Sequence, residues 1–410
     1  MRDRGLVGPA PFAGRPWWTR ALHLGSAYLA LPLVAFLLAV FLLPIFSFLL
    51  QSVLSTEVRD GFPRVSAAIR DWRPGTPPSA ALSDALVADL QESERNQTVG
   101  KVAKRLNQEV TGFRSLILKT SKRLEQRDPA APSGMSALLA IDPRWGEDAY
   151  WRALRRAAPA VTDRYLLAAL DLERDNADAV VPVPRSEALY LDVLGRTVAV
   201  SAVVTACCLV LGYPIAFLLA QLPRRQSRWL ALFVLLPFWT SLLVRSTAWL
   251  VLLQREGLIN DALVWLGLTS HRLELVHNRT GVLIAMVHVL LPFMILPIFA
   301  VMKRLPDQQL AAAASLGGGP VLAFRKVYFP QTLPGVGSGC AFVFILALGY
   351  YITPALVGGG NDQMISYFIA NFVNETVNWG MASALSVVLL ALVLFLFAVS
   401  HRTLLQSTAR

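Results

Sequence analysis

The sequence predicts an all-α integral membrane protein with six transmembrane helices, and three observations carry that expectation. The 410-residue chain is 55% hydrophobic and only 16% charged, which is more apolar surface than one soluble core of ordinary size uses. Its apolar residues gather into six runs of about 20, long enough to cross a hydrocarbon core roughly 30 Å thick as helices. Outside its long hydrophilic interval, its cations cluster at Arg2, Arg4, Arg15 and Arg20, then at Arg224, Arg225 and Arg228, then at Lys303, Arg304, Arg325 and Lys326, and finally at Arg402 and Arg410. Alternating with the runs, these clusters all fall on one side.

In order along the chain, residues 1–26 form a basic cytoplasmic segment and 27–50 the first helix. That helix is too long for a signal peptide and lacks a small-residue cleavage pattern. Its Pro32 and Pro44 are tolerable in lipid where neighbouring groups satisfy the freed backbone. Residues 51–192 are an external insertion of helical type. Within it, Val99, Val102, Leu106, Val110, Phe113 and Ile117 recur at spacings of three and four, which predicts one amphipathic helix. A second helical stretch is expected over 147–174, with breaks at Asp128 to Ser133 and Val181 to Arg185. The remaining apolar runs are Val193 to Leu222, Trp229 to Leu253, Thr280 to Met302, Val336 to Val357 and Met381 to Val399. They define a core over 193–403, with a cytoplasmic loop at 303–335 and a tail at 404–410. The half-apolar segment Gln254 to Val276 suits a short helix at the outer boundary.

Positive residues in short loops mark the cytoplasmic face, which places both termini inside and the insertion outside. The insertion holds 20 Lys/Arg and about as many Asp/Glu, so the net charge of +11 belongs to the rest of the chain. Charge dispersed over short loops is a topology signal and argues against a nucleic-acid partner. Cys207, Cys208 and Cys340 all lie in expected membrane helices, so no disulfide framework holds the insertion. His271, His277 and His288 lack metal-ligand spacing on one helical face, and neither Cys-x-x-Cys nor His-Glu-x-x-His occurs.

The loop after the fourth run reads Leu310-Ala-Ala-Ala-Ala-Ser-Leu-Gly-Gly-Gly319, followed by Pro320 to Gly335. An alanine run forms helix strongly, and three glycines then a proline stop it. A second amphipathic stretch is expected to stop at Pro330 and Pro334. This segment resembles the signature loop of ABC-importer permeases: Ala312 and Ala313 match its two alanines, Gly317 its glycine, Val327 its isoleucine and Pro330 its proline. Ala311 stands where that family has Glu, and Phe329 where it has Leu. The resemblance implies a coupling helix, with Leu316 and Gly318 beside Gly317, docked in a cleft of a cytoplasmic ATPase subunit. No Gly-x-x-x-x-Gly-Lys-[Ser/Thr] phosphate loop occurs in the chain. ATP and Mg would therefore belong to a partner ATPase dimer, and this chain would carry no cofactor and no catalytic residue.

Further pieces over Val193 to Ser400 resemble the spermidine/putrescine permease family: Pro237-Phe-Trp-Thr-Ser241, Leu243-Val-Arg-Ser246, Glu256-Gly-Leu-Ile-Asn260, Leu291-Pro-Phe-Met294 and Tyr350-Tyr-Ile-Thr-Pro-Ala355. The resemblance implies a type I ABC-importer permease in the bacterial inner membrane, with six helices and a periplasmic insertion. It also implies alternating access, a second homologous permease and a periplasmic solute-binding protein. Permeases for opines, other amines and aminophosphonates share this layout, and a membrane scaffold or sensor on the same fold is the alternative from another class.

For the solute path, carboxylates at the pore mouth and aromatic faces favour a cation. Glu256, Asp261 and Asp362 are the candidate carboxylates, and Trp239, Tyr350 and Tyr351 the candidate rings. Arg245 argues the other way, because a charge at mid-membrane costs about 2.5–3.5 kcal/mol on insertion scales. Three roles are open to it: snorkelling to the interface, pairing with Glu256 or Asp362, or contact with an anionic group on the solute.

Overall fold

The computed structural model describes residues 31–126, 134–175, 178–315 and 319–408. The N-terminal segment 1–26 and the expected break at Asp128 to Ser133 lie outside the described residues. Helix α1, Leu31–Leu50, is long and apolar enough to cross a membrane. Its side chains are exposed on every face over most of its length, as lipid contact allows. A π-turn at Leu38–Leu42, with the Leu43 N–H donating to the Leu38 carbonyl, lies just before Pro44. There it reroutes the hydrogen bonds around a residue that has no N–H to donate.

The insertion folds as short helices: α2 (Glu57–Gly61), α3 (Pro63–Ala68), α4 (Ala80–Arg95), α5 (Val99–Asn107), α6 (Phe113–Glu125), α7 (Gly134–Ile141), α8 (Asp148–Ala157) and α9 (Arg164–Ala169). They surround one apolar core in which Phe62, Leu86, Leu106, Phe113, Trp145 and Leu154 are fully buried. The buried indoles are satisfied, Trp145 donating to the Thr120 hydroxyl at 2.9 Å and Trp151 to the Trp145 carbonyl at 2.8 Å. The single helix expected from Val99 to Ile117 is two helices. Gly112 adopts φ +91° between them, and the Asn107 side chain accepts the N–H groups of Gly112 and Arg114. The apolar stripe still faces the core, because the break re-aims the second helix without moving its buried face. The helix expected over 147–174 is likewise broken. It becomes α8 and α9 with Pro159 between them, then strand β1 (Leu172–Arg174), which pairs antiparallel with β2 (Val180–Pro182). That hairpin and an isolated antiparallel bridge between Leu54 and Val161 are the departures from an all-helical fold among the described residues.

Three sets of contacts fasten the insertion to the membrane core. The Asp171 carboxylate accepts the N–H groups of Leu189, Tyr190 and Leu191. It thus caps helix α10 (Tyr190–Gln221), where a negative charge is favoured by the exposed N–H dipoles. Tyr165 and Ala169 pack with Val193, Ile365, Met381 and Leu385, and the Lys104 ammonium donates to the Thr376 and Val377 carbonyls.

The core continues with α11 (Arg224–Trp239), α12 (Leu242–Leu252), α13 (Leu258–Trp265), α14 (Arg279–Met302), α15 (Asp307–Ser315), α16 (Pro320–Leu348), α17 (Ile352–Val357), α18 (Ile365–Asn374) and α19 (Trp379–Thr408). Helices α1, α10, α14, α16 and α19 each suffice to span a membrane, and α11 with α12 forms a sixth candidate span bent by 98°. The run Trp229 to Leu253 is therefore not one straight helix. Pro237 interrupts the hydrogen bonds, Leu236–Trp239 tightens to a 3₁₀ turn, and Thr240 and Ser241 are extended. The run Val336 to Val357 is also corrected. Its helix starts earlier, at Pro320, and ends at Leu348, so Tyr350 and Tyr351 lie in the gap before α17. Nor does the chain stop at Pro330 and Pro334: a π-turn at Phe324–Tyr328 absorbs the first proline and the helix runs on. Helix α19 extends to Thr408, past the expected tail boundary at 404.

Helices α10, α14 and α16 pack into the main membrane cluster, where Val204, Cys208, Met294, Ile298, Val343 and Ala347 are buried. The three cysteines are free. Close approach is set at Gly339, where an added Cβ would stand 2.9 Å from the Met294 sulfur and 3.1 Å from its carbonyl. Gly339→Leu is therefore expected to destabilise the core by about 1–3 kcal/mol through overpacking, read as a lowered Tm of the detergent-purified protein.

In the insertion, hydrogen bonds from Arg144 and Lys119 hold the Asp142 carboxyl well below the usual carboxylate range. A depressed carboxyl contributes stability above its unfolded pKa of about 3.9 and loses it as pH falls through the folded value. With partly exposed partners, Asp142→Asn is expected to cost about 1–2 kcal/mol at pH 7. The gap between the variant and the parent should close well below pH 4, followed by tryptophan fluorescence during unfolding.

Candidate functional site

Two groups of residues carry the functional candidates, one in the loop around Ala311 to Pro330 and one in the middle of the core. In the loop, Ala311, Ala312 and Ala313 lie on α15, the first two exposed. Leu316, Gly317 and Gly318 lie outside the described residues. Val327 sits in the π-turn and lines a cleft of about 350 Å³ with Gln221, Lys303, Gln309 and Gln331. Pro330 is exposed at the second position after the π-turn. Two residues that the sequence reading did not single out stand on the same projection: Val321 is 77% exposed and Leu322 54%. An apolar pair directly after the Gly-Gly-Gly-Pro break, at the first turn of α16, is the feature that would have found them.

In the core, the structure gathers some of the candidates and separates others. Arg245 is on α12, one turn past the bend. Its guanidinium donates from Nη2 to the Thr240 carbonyl at 2.9 Å and from Nε to the Thr240 hydroxyl at 3.3 Å. It pairs with neither Glu256 nor Asp362. Asp362 is buried and paired with Arg279 at 3.3 Å, and Asp261 is paired with Arg272 at 2.8 Å. Glu256 is exposed in the turn before α13. The bend accounts for this: Thr240 is extended at the break, and the Arg245 guanidinium donates to its carbonyl.

His288 of α14 and Tyr350 are both half-buried. Beside them the Trp249 indole donates to His288 Nδ1 at 3.0 Å. An indole N–H only donates, so His288 is neutral there with its proton on Nε2. Ser246 and Thr353, both fully buried, join α12 to α17 through a 2.9 Å hydroxyl pair. Trp249 and His288 therefore form a polar and aromatic contact between α12 and α14 inside an apolar helix set. Trp239, 80% exposed, and Tyr351, 39% exposed, lie away from the packed interior. Sequence reading passed over His288 as a packed histidine, and its place within an apolar span was the available signal.

The segment Glu256 to Asn260 has a structural explanation. Gly257 leaves no room for a Cβ, which would stand 2.5 Å from the Leu252 carbonyl. Buried Asn260 donates to the carbonyls of Gln254 and Leu273 and accepts the Leu273 N–H. Together they latch α13 to the segment that follows α12. Among the described residues no group of three His, Cys, Asp or Glu could hold a metal ion.

Residues 212–409 match the family of binding-protein-dependent transport system inner membrane components. The chain is 32% identical over 219 residues to the spermidine/putrescine transport system permease protein PotB of Haemophilus influenzae, covering 53% of this chain and 77% of that protein. It is 33% identical over 202 residues to PotB of Escherichia coli, covering 49% and 73%. It is also 33% identical over 227 residues to the Escherichia coli inner membrane ABC transporter permease protein YdcU, covering 52% and 71%. The chain thus belongs to the family of binding-protein-dependent inner-membrane permeases of ABC importers. It is a multi-pass membrane subunit of the type I importer architecture, with apolar helices that suffice for that role.

The buried hydroxyl pair gives a direct test of the core geometry. Ser246→Ala or Thr353→Val alone should cost about 1–3 kcal/mol, since each strands the other hydroxyl. The double variant is expected to cost less than the sum, as Tm values of the four proteins would reveal.

Proposed function

We propose that this chain forms one half of the pore of an ATP-driven importer that carries a polyamine-like solute from periplasm to cytoplasm by alternating access. The observation that carries the solute class is the 32–33% identity to spermidine/putrescine permeases across about three quarters of their length. The aromatic faces of Trp249 and Tyr350 suit a cation. In this reading both termini are cytoplasmic and the insertion is periplasmic, from the clustering of Arg and Lys in the short loops. An ATPase dimer holding ATP and Mg docks on the Ala311–Pro330 segment. A second, homologous permease completes the pore, and a periplasmic binding protein delivers the solute.

A second solute reading rests on Arg245. Its hydrogen bonds go to Thr240, and its positive charge has no carboxylate partner among the described residues. That favours an amine that also bears a carboxylate or phosphonate, such as an opine or aminophosphonate.

The deciding experiment is uptake of radiolabelled spermidine, putrescine, an opine and 2-aminoethylphosphonate by cells expressing the complete transporter. Uptake of the polyamines supports the first reading; uptake of the zwitterions alone replaces it with the second. Transport of none of them by an assembled complex overturns both. For the coupling segment, Gly317→Asp is expected to leave the protein in the membrane and abolish stimulated ATP hydrolysis. Unchanged hydrolysis would refute docking there.

A further inference from the structure

The coupling segment enters the membrane through an irregular joint, and the joint is clasped by one neighbouring helix. Between Phe324 and Tyr328 the backbone takes π geometry, with the Phe329 N–H donating to the Phe324 carbonyl five residues back. Such a turn holds one residue more than an α-helix and recurs where helices do mechanical or binding work. The Phe217 ring of α10 stands edge-on to both ends of this turn, 5.8 Å from Phe324 at 86° and 5.5 Å from Tyr328 at 90°. Phe324 and Tyr328 are themselves stacked at 5.7 Å. One turn earlier on α10, Tyr213 meets Phe329 at 5.8 Å, and its hydroxyl is 3.1 Å from the Thr332 hydroxyl.

Pro214 lies between these two clasping residues. It cannot donate to the carbonyl four residues back, so α10 is least stiff where the rings grip it. Beyond this point α10 runs without a break to Tyr190, and Met294 and Ile298 of α14 pack with it and with α16 in one buried cluster. A displacement entering at the π-turn thus meets a ring contact before it meets any other part of α10, and then a tightly packed three-helix unit.

We propose that Phe217 and Tyr213 are positioning residues that pass movement of the coupling segment into the pore helices, with the Phe324–Tyr328 π-turn as the joint. This rests on the reading of the Ala311–Pro330 segment as the ATPase-docking element. It adds the route by which that element acts: from the π-turn to Phe217, and from Phe217 along α10. Contiguity alone does not establish coupling, so the test must separate transmission from packing.

Hydrogen exchange read by mass spectrometry on the complete transporter in nanodiscs, with and without ATP and vanadate, does so without any solute. In the parent complex, nucleotide is expected to change exchange both in the coupling segment and in α10 near 205–221. In Phe217→Ala the coupling segment should still respond, while the α10 response falls at least fivefold. Its nucleotide-free exchange should stay within about twofold of the parent, which a merely structural lesion would not permit. Phe217→Tyr should restore the α10 response. An α10 response that survives in Phe217→Ala, or a parent α10 that does not respond while the coupling segment does, overturns the relay. Faster nucleotide-free exchange in Phe217→Ala together with a lost response assigns Phe217 to packing and also overturns it. Absence of any nucleotide response in the assembled parent refutes docking of the coupling segment itself, and the relay with it. The identity of the amine has no bearing on these outcomes.

Discussion

A polypeptide cut inside a bilayer must satisfy its freed N–H and C=O groups within the protein, because lipid offers them no partner. Most of the irregular features of this permease are answers to that demand. At the bend between α11 and α12, Arg245 donates to the Thr240 carbonyl. The turn before α13 is closed by Asn260, which satisfies two carbonyls and one N–H with a single side chain. The two π-turns lie immediately before Pro44 and Pro330, prolines that would otherwise leave the local hydrogen-bond pattern incomplete.

These repairs also place the chemistry. A straight helix over Trp229 to Leu253 would carry Arg245 as an isolated charge at mid-depth. With the bend, the guanidinium is anchored by the Thr240 carbonyl and hydroxyl. The Ser246–Thr353 pair then fixes α12 to α17, so Arg245 and Trp249 sit on a helix that is cross-braced. The carboxylates of Asp261 and Asp362 are each held by an arginine, which lowers their value as free cation attractors, whereas Glu256 is exposed and in none of the ion pairs seen among the described residues.

The insertion is built differently. Its core is closed on itself around Trp145 and Phe113, and its ties to the membrane part are few and located at helix starts. Asp171 caps α10, and Tyr165 packs against the start of α19. A body fixed to the ends of two pore helices moves with them more readily than one tethered by a loop. The family match begins at residue 212, well after the insertion.

Composition and charge clustering sufficed for the membrane class, and the Ala/Gly loop with the dispersed motifs of the second half sufficed for the permease family. These were legible because solvation by lipid requires long apolar runs, and because the loop motif is local in sequence. The breaks within those runs were not legible. Whether Pro237 kinks a helix or ends it, and whether Pro330 stops one or is absorbed, depends on donors and acceptors brought from elsewhere in the chain. The same holds for the site. Trp249 and His288 are 39 residues apart and Ser246 and Thr353 107, so their pairing is a property of helix packing that no local pattern encodes. Sequence alone determined that this is an apolar, helical, inner-membrane permease of the ABC-importer family. Only the tertiary structure decided where its helices break and which side chains meet at those breaks, because a freed backbone group is satisfied by whatever partner the packing brings within reach.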